Sequence, residues 1–102
     1  MSNPALIVLV RFRSALSLEE VTRVAEDRVP EFQALAGLQQ KYYLQDASTG
    51  EYAGIYLWQS PDDFVAYRDS ELRATIAEAY QVKGEPRIEV YRVLNTLRYE
   101  TA

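Results

Sequence analysis

Residues 38–59 have the sequence LQQKYYLQDASTGEYAGIYLWQ, which carries the clearest fold signal in the chain. Two runs rich in aromatic and aliphatic side chains, 38–45 and 52–59, flank the turn-forming residues 46–51. Both runs have the length and composition of β-strands, and the segment between them is short enough to reverse the chain. We therefore predict a β-hairpin.

The predicted turn also sets a register between the two strands. A turn centred near residues 48 and 49 makes the numbers of paired residues sum to about 97. The resulting pairs are Tyr43 with Gly54, Lys41 with Tyr56, and Gln39 with Trp58.

This register gives the hairpin two different faces, because side chains alternate along a strand. The polar-aromatic face carries Lys41, Tyr43, Tyr52, Tyr56 and Trp58 around Gly54. The aliphatic face carries Leu38, Leu44, Ala53, Ile55 and Leu57. Aromatic walls with a few polar tips suit a pocket for a flat organic molecule. Tyrosines are equally typical of a dimer interface, and both interpretations stay open at this point.

The chain before the hairpin predicts a strand and an interrupted helix. Residues 5–13 are mostly apolar, as in a central strand. Ser17 and Glu20 have the spacing of a capping box, so a helix begins there. Pro30 removes a backbone donor and crowds the preceding turn, which predicts a kink or split near Arg28 to Val29.

The chain after the hairpin predicts a second helix and a fourth strand. Ser60 and Pro61, followed by two acidic residues, are typical of a helix start. We expect residues 81–86, which include a glycine and a proline, to end that helix. Residues 87–97 alternate again and are predicted as the last strand.

The order strand, helix, strand, strand, helix, strand predicts an α+β, ferredoxin-like βαββαβ fold for residues 1–102 as a single domain. Right-handed crossovers place the first and third strands in the middle of one antiparallel sheet, with both helices on one face. The other face keeps much apolar surface. We expect a second copy to cover it, which predicts a homodimer.

The composition excludes several kinds of chemistry. The chain has no cysteine and no histidine, and 15 acidic side chains against 11 basic ones give a net charge of −4. Thiol chemistry, histidine-ligated metals and Ser-His-Asp catalysis are therefore absent, and nucleic acid is not an expected partner. No apolar run approaches the roughly 20 residues that cross a membrane, and no basic signal-peptide region precedes the first strand. We expect a cytoplasmic protein without a metal site.

The segments 36–46 and 53–58, followed by a proline-initiated helix with Phe64 and Tyr67, resemble the YdhR-like monooxygenases. These belong to the dimeric α/β-barrel superfamily, which also holds antibiotic-biosynthesis and haem-degrading monooxygenases. The Gly-x-Tyr-x-Trp pattern of Gly54 to Trp58 is the most specific part of the resemblance. It implies a dimeric α/β barrel.

The resemblance also implies roles for particular residues. Trp58 matches the tryptophan that lines the pocket of the superfamily's oxygenases. Cofactor-free relatives add a strand asparagine and a helix tyrosine, whose matching places here are Gly54 and Phe64, with Tyr67 as the candidate substitute one turn later. Haem-degrading relatives need a helix histidine, and Ile76 stands at that place, so we expect no haem.

The resulting hypothesis is a cofactor-independent monooxygenase for a small aromatic or phenolic substrate held between sheet and helices. Trp58, Tyr67 and Lys41 are the candidate catalytic residues, and a desolvated lysine can take the substrate's proton. The candidate substrate-binding residues are Tyr43, Tyr56, Gly54, Phe64 and Arg92. The alternative is a non-catalytic protein that binds a small ligand, or a protein partner, on the same fold.

Overall fold

The structure is a computed structural model that describes residues 3–98. Four strands and five helical segments follow one another along the chain. They are β1 (Leu6–Ser14), α1 (Leu18–Asp27), α2 (Val29–Gln33), β2 (Leu38–Gln45), β3 (Tyr52–Trp58), α3 (Pro61–Arg68), α4 (Glu71–Ala74), α5 (Ile76–Ala79) and β4 (Val82–Arg92).

The strands form one antiparallel sheet in the order β2-β3-β1-β4. This arrangement confirms the predicted ferredoxin-like fold, with the first and third strands in the middle. The hairpin register is confirmed at two pairs, since Lys41 lies opposite Tyr56 and Tyr43 lies opposite Gly54.

The predicted pairing of Gln39 with Trp58 is wrong. The register shifts between Leu38 and Gln40, so that Leu38 lies opposite Trp58. An extra residue in one strand turns the side chains before it to the other face. Leu38 therefore packs against the buried core, and it does not belong to the opposite, aliphatic face as predicted.

The first helical region divides where the sequence predicts. α1 begins with a complete capping box between Ser17 and Glu20, and it ends at Asp27. Arg28 separates it from α2, in which Pro30 occupies the first turn. A proline is tolerated there because that turn has no use for its missing N–H.

The second helical region is not the continuous helix that we predict. It consists of α3, α4 and α5. The hydroxyl of Ser70 accepts a hydrogen bond from the backbone N–H of Arg73, and its own O–H donates to the Tyr67 carbonyl. Serine side chains compete in this way with helical backbone bonds, which is why a new short helix begins at residue 71.

The predicted bounds of the last strand are also wrong, because β4 runs from Val82 to Arg92 rather than over 87–97. Residues 81–86 do not simply end the helix: most of them belong to this strand. Gly84 adopts a φ of +68°. It lies where the pairing of β4 with β1 shifts register, between Arg11 opposite Arg87 and Arg13 opposite Lys83. An edge strand accepts Pro86 at such an irregularity, since an N–H directed outward needs no partner.

The helices pack on one face of the sheet. The core there consists of Leu6, Val8, Phe32, Tyr56, Trp58 and Tyr67. By alternation, Ile7 and Leu9 of β1 and Ile55 and Leu57 of β3 point to the opposite face. None of the helices within residues 3–98 is long and apolar enough to cross a membrane.

Candidate functional site

A cavity of about 600 Å³ lies between the sheet and the helices. Its volume is in the range of sites for small organic molecules. Most of the residues predicted for the site line it, namely Lys41, Tyr43, Gly54, Tyr56, Trp58, Phe64 and Tyr67. Arg92 does not line it. It lies exposed at the end of β4, opposite Leu6, so the structure does not bring it to the other candidates.

Trp58 and Tyr67 contact each other in the lining of the cavity. Trp58 is completely buried, and its ring centroid lies 5.3 Å from that of Tyr67. The indole Nε1 of Trp58 and the hydroxyl oxygen of Tyr67 are both buried without a hydrogen-bond partner among the described residues. Buried polar groups nearly always have partners, so this pair of free donors is unusual.

Tyr56 completes the aromatic wall. Its ring is parallel to the indole of Trp58, with an interplanar angle of 1° and a centroid distance of 6.4 Å. Burial raises the pKa of Tyr56 well above its ordinary value. Burial likewise raises the pKa of Tyr67. Both phenols are therefore protonated near neutral pH and can donate to a ligand.

Lys41 brings a cation into this apolar space. Its Nζ lies over three aromatic rings, at 3.6 Å from the ring centroid of Phe32, 4.4 Å from that of Tyr43 and 4.6 Å from that of Tyr56. The ring faces attract the charged form. The ion pairs within residues 3–98 do not include Lys41. Burial, followed by the charge of Arg28, lowers the pKa of Lys41 to about 7, so that amine and ammonium coexist near neutral pH.

Gly54 makes room for these side chains. A Cβ at this position would lie 3.2 Å from Cε1 of Tyr56 and 3.6 Å from Cε of Lys41. The missing side chain lets the Tyr56 ring and the Lys41 stem lie close to the β3 backbone. Gly54 is therefore part of the cavity's shape, as the hairpin register predicts.

The start of α3 directs its two aromatic residues inward. The Ser60 hydroxyl accepts a hydrogen bond from the backbone N–H of Asp63 at 3.2 Å and donates to the carboxylate of Asp63 at 2.8 Å. This cap fixes the first turn of the helix. Phe64 and Tyr67, three residues apart, then share the face that meets Trp58.

Three residues of the site are not found by sequence reasoning. Phe32 appears in the sequence only as one of the apolar positions of a helix, yet its ring lies nearest to the Lys41 nitrogen. Arg28 donates to the Thr75 hydroxyl at 2.6 Å, which ties the α1–α2 junction to α4 and α5. Arg73 lines the cavity. An arginine on a helix is usually solvated, so the sequence carries no signal for either arginine.

Within residues 3–98, no group of acidic residues has an arrangement that could hold a metal ion. The site instead offers an apolar cavity, two free donors and a lysine near its point of half-protonation. Such a set can hold an aromatic molecule, donate hydrogen bonds to its oxygen and accept a proton from it.

The fold is similar to that of several solved structures, monooxygenases among them. No protein-family model and no curated protein matches the sequence. Among solved structures, SnoaB from Streptomyces nogalater, a cofactor-independent oxygenase, is similar with a TM-score of 0.74 and 17% identity, covering 92% of this chain and 97% of SnoaB.

Two further solved structures share the fold. A candidate antibiotic-biosynthesis monooxygenase from Caulobacter crescentus has a TM-score of 0.74 and 16% identity, covering 92% of this chain and 94% of its own. The ActVA-Orf6 monooxygenase of Streptomyces coelicolor, in complex with nanaomycin D, has a TM-score of 0.72 and 12% identity, covering 93% and 92%. At these identities the likeness establishes the fold.

Proposed function

We propose that this protein is a cofactor-independent monooxygenase that acts on a small aromatic or phenolic substrate in the cavity between sheet and helices. The observation that carries the proposal is the pair of unpartnered buried donors, Trp58 Nε1 and the Tyr67 hydroxyl, on two residues that line an aromatic cavity. A ligand oxygen bound there would satisfy both groups. The likeness to an oxygenase that works without a cofactor supports the same proposal.

The residues suggest how such a reaction would proceed. Lys41 takes a proton from the substrate, and Trp58 and Tyr67 donate to the oxygen that becomes negative. The substrate anion supplies an electron to O₂, a C–O bond forms, and the resulting peroxide breaks. With an anthrone, the CH₂ group becomes a carbonyl and the second oxygen atom leaves as water.

The test is oxygen uptake with a panel of anthrones and naphthols. We expect turnover with at least one of them, and a fall of about 100-fold in kcat for Tyr67→Phe with folding retained. Leu94→Ala serves as a matched control, because Leu94 is 90% exposed and does not line the cavity. Binding of the same compounds without oxygen uptake would instead favour the non-catalytic ligand-binding protein.

We further propose that the active form is a homodimer and that the chain groups with the YdhR-like monooxygenases. The apolar face opposite the helices supports the dimer, since Tyr42 and Leu44 are 52% and 42% exposed there beside Ile55 and Leu57. The Gly54 to Trp58 pattern supports the family. Light scattering in solution would test the oligomeric state. The cytoplasmic location stays a prediction.

A further inference from the structure

Lys41 has the surroundings of a nucleophilic amine. Its Nζ is held against the rings of Phe32, Tyr43 and Tyr56, and its side chain lines the 600 Å³ cavity. Among the described residues, no carboxylate forms an ion pair with Lys41. A lysine becomes nucleophilic when it is desolvated in an apolar pocket or placed near another cation. Lys41 meets the first condition, because its nitrogen lies against three aromatic rings.

We propose that Lys41 forms a covalent imine with an apolar aldehyde or ketone that enters the cavity. This activity goes beyond the oxygenation proposed above and needs no O₂. The Lys41 nitrogen attacks the carbonyl carbon, a C–N bond forms, and the carbonyl oxygen leaves as water with the two amine protons. When the imine takes up a proton, it draws electrons from the adjacent carbon and weakens its C–H bond.

The other groups of the site fit a carbonyl compound. Tyr43 and Tyr56, whose rings contact the lysine, stay protonated near neutral pH because burial raises the pKa of both. They can therefore donate to the departing oxygen. The other charged groups that act on Lys41 or share its cavity are Arg28, whose charge lowers the pKa of Lys41, and Glu26, Arg68 and Arg73, which line the cavity.

The probe is 2,4-pentanedione, which condenses with an amine to a conjugated enaminone that absorbs in the near ultraviolet. The chain offers an internal control, since its only other lysine is Lys83, which is exposed on β4. The full chain is incubated with the diketone at pH 7 and cleaved after arginine. Arg68 and Arg73 lie between the two lysines, so each adduct appears on its own peptide.

We expect a single adduct, heavier by one pentanedione less one water, on Lys41. It should form at least about tenfold faster there than on the exposed Lys83, because a solvated lysine ammonium has almost no free electron pair at pH 7. The rate should rise with pH and reach half of its plateau near pH 7, in line with the lowered pKa of Lys41. Lys83→Arg should leave the adduct unchanged, and Lys41→Arg should abolish it.

Equal rates on Lys41 and Lys83 would overturn the proposal, as would the absence of an adduct on Lys41. Because the adduct is located on the unaltered chain, this result does not depend on whether a variant folds. It is also independent of oxygen uptake, so failure of the oxygenase proposal leaves it standing.

Discussion

Trp58 and Tyr67 lie with ring centroids 5.3 Å apart, and each keeps a buried donor without a partner among the described residues. A buried donor left unsatisfied costs about 1–3 kcal/mol of stability. Such a cost is typical of functional sites, where groups are arranged for a ligand rather than for the free protein. Removing one of these donors should therefore stabilise the free protein and weaken the binding of a ligand.

Replacing the Tyr67 hydroxyl separates these two effects. Tyr67→Phe keeps the ring contacts with Trp58, Phe32 and Tyr56 and removes only the unsatisfied group. We expect the free energy of unfolding to stay the same or rise by about 1 kcal/mol, measured by urea denaturation. Affinity for 1-naphthol should fall about tenfold, measured by quenching of tryptophan fluorescence. A variant that loses stability and keeps its affinity would contradict the assigned role.

Lys41 predicts a pH dependence of stability. Its pKa is about 7 in the folded protein, below the ordinary value of 10.5 for a free lysine. Below pH 7 both states carry the proton, and between pH 7 and 10.5 the unfolded state binds more protons than the folded one. The free energy of unfolding should therefore increase from pH 7 upward, with a slope of up to about 1.4 kcal/mol per pH unit.

The tyrosines limit the range in which this slope can be seen. Burial raises the pKa of Tyr80 to about 12 and that of Tyr56 well above its ordinary value, so unfolding releases their protons above about pH 10 and stability falls there. Urea denaturation of wild type and Lys41→Met between pH 6.5 and about 9.5 is the appropriate comparison. The rise should be present in the wild type and absent from the variant; equal slopes would argue against a lowered pKa.

The two turn glycines give a matched pair for stability. Gly37 and Gly50 both have a φ of +77°. A Cβ on Gly37 would lie 2.1 Å from Oδ2 of Asp63, whereas nothing lies within 4 Å of one on Gly50. Asp63 cannot turn away without losing its hydrogen bond from Ser60. Gly50→Ala should cost about 1 kcal/mol from backbone strain, and Gly37→Ala at least about 1 kcal/mol more.

Thermal unfolding followed by circular dichroism measures this difference. If the two alanine variants melt at the same temperature, the contact between Gly37 and Asp63 is not a constraint on the fold. A melting temperature that is lower for Gly37→Ala than for Gly50→Ala identifies the start of α3 as the element that the glycine protects.

The proposed dimer predicts that a new negative charge separates the two copies when it lies on the face opposite the helices, but not when it lies on α3. Tyr42 is 52% exposed on the face opposite the helices, and Val65 is 39% exposed on α3. A buried, unpaired carboxylate at an interface is costly. Tyr42→Glu should therefore give monomers at micromolar concentration, whereas Val65→Glu should leave the dimer intact, as measured by light scattering. A monomeric wild type would contradict the dimer directly.

The fold, and the placement of most predicted site residues around one cavity, can be predicted from the sequence for one physical reason. Alternation in β3 fixes which side chains of Tyr52 to Trp58 face the helices, and the turn fixes the pairing of β2 with Gly54 and Tyr56. The predicted pairing of Gln39 is wrong because nothing in the composition of β2 indicates a bulge. The prediction is also wrong at Gly84 and Pro86, which read as a helix end but lie in an edge strand where an irregular register accepts them.

Arg28 and Phe32, two of the site residues that the sequence does not reveal, depend on contacts between distant segments. Arg28 reaches Thr75 across the helical layer, and Phe32 reaches Lys41 from α2 to β2. Local periodicity places such residues on a face of a helix but does not specify what they contact. The division of the second helical region has a local cause, the Ser70 cap, although a serine alone does not distinguish a cap from an exposed helical position.

Gly54 provides the last test of the site. In a strand, alanine normally stabilises relative to glycine by about 0.5–1 kcal/mol. At this position the new Cβ would lie 3.2 Å from the Tyr56 ring, which is itself packed against Trp58 and Tyr67, so the ring cannot yield easily. Gly54→Ala should therefore bring no gain in stability. It should also displace the Tyr56 ring and the Lys41 stem and lower the affinity for 1-naphthol severalfold.

Urea denaturation and fluorescence titration measure both effects. Ile55→Val is the control, because residue 55 lies on the opposite face of β3 and does not line the cavity, and it should cost at most about 1.5 kcal/mol while leaving the affinity unchanged. A Gly54→Ala variant that is stabilised and binds 1-naphthol normally would mean that the cavity does not depend on the missing side chain. The close approach of Lys41 and Tyr56 to the β3 backbone would then be a packing feature without a role in binding.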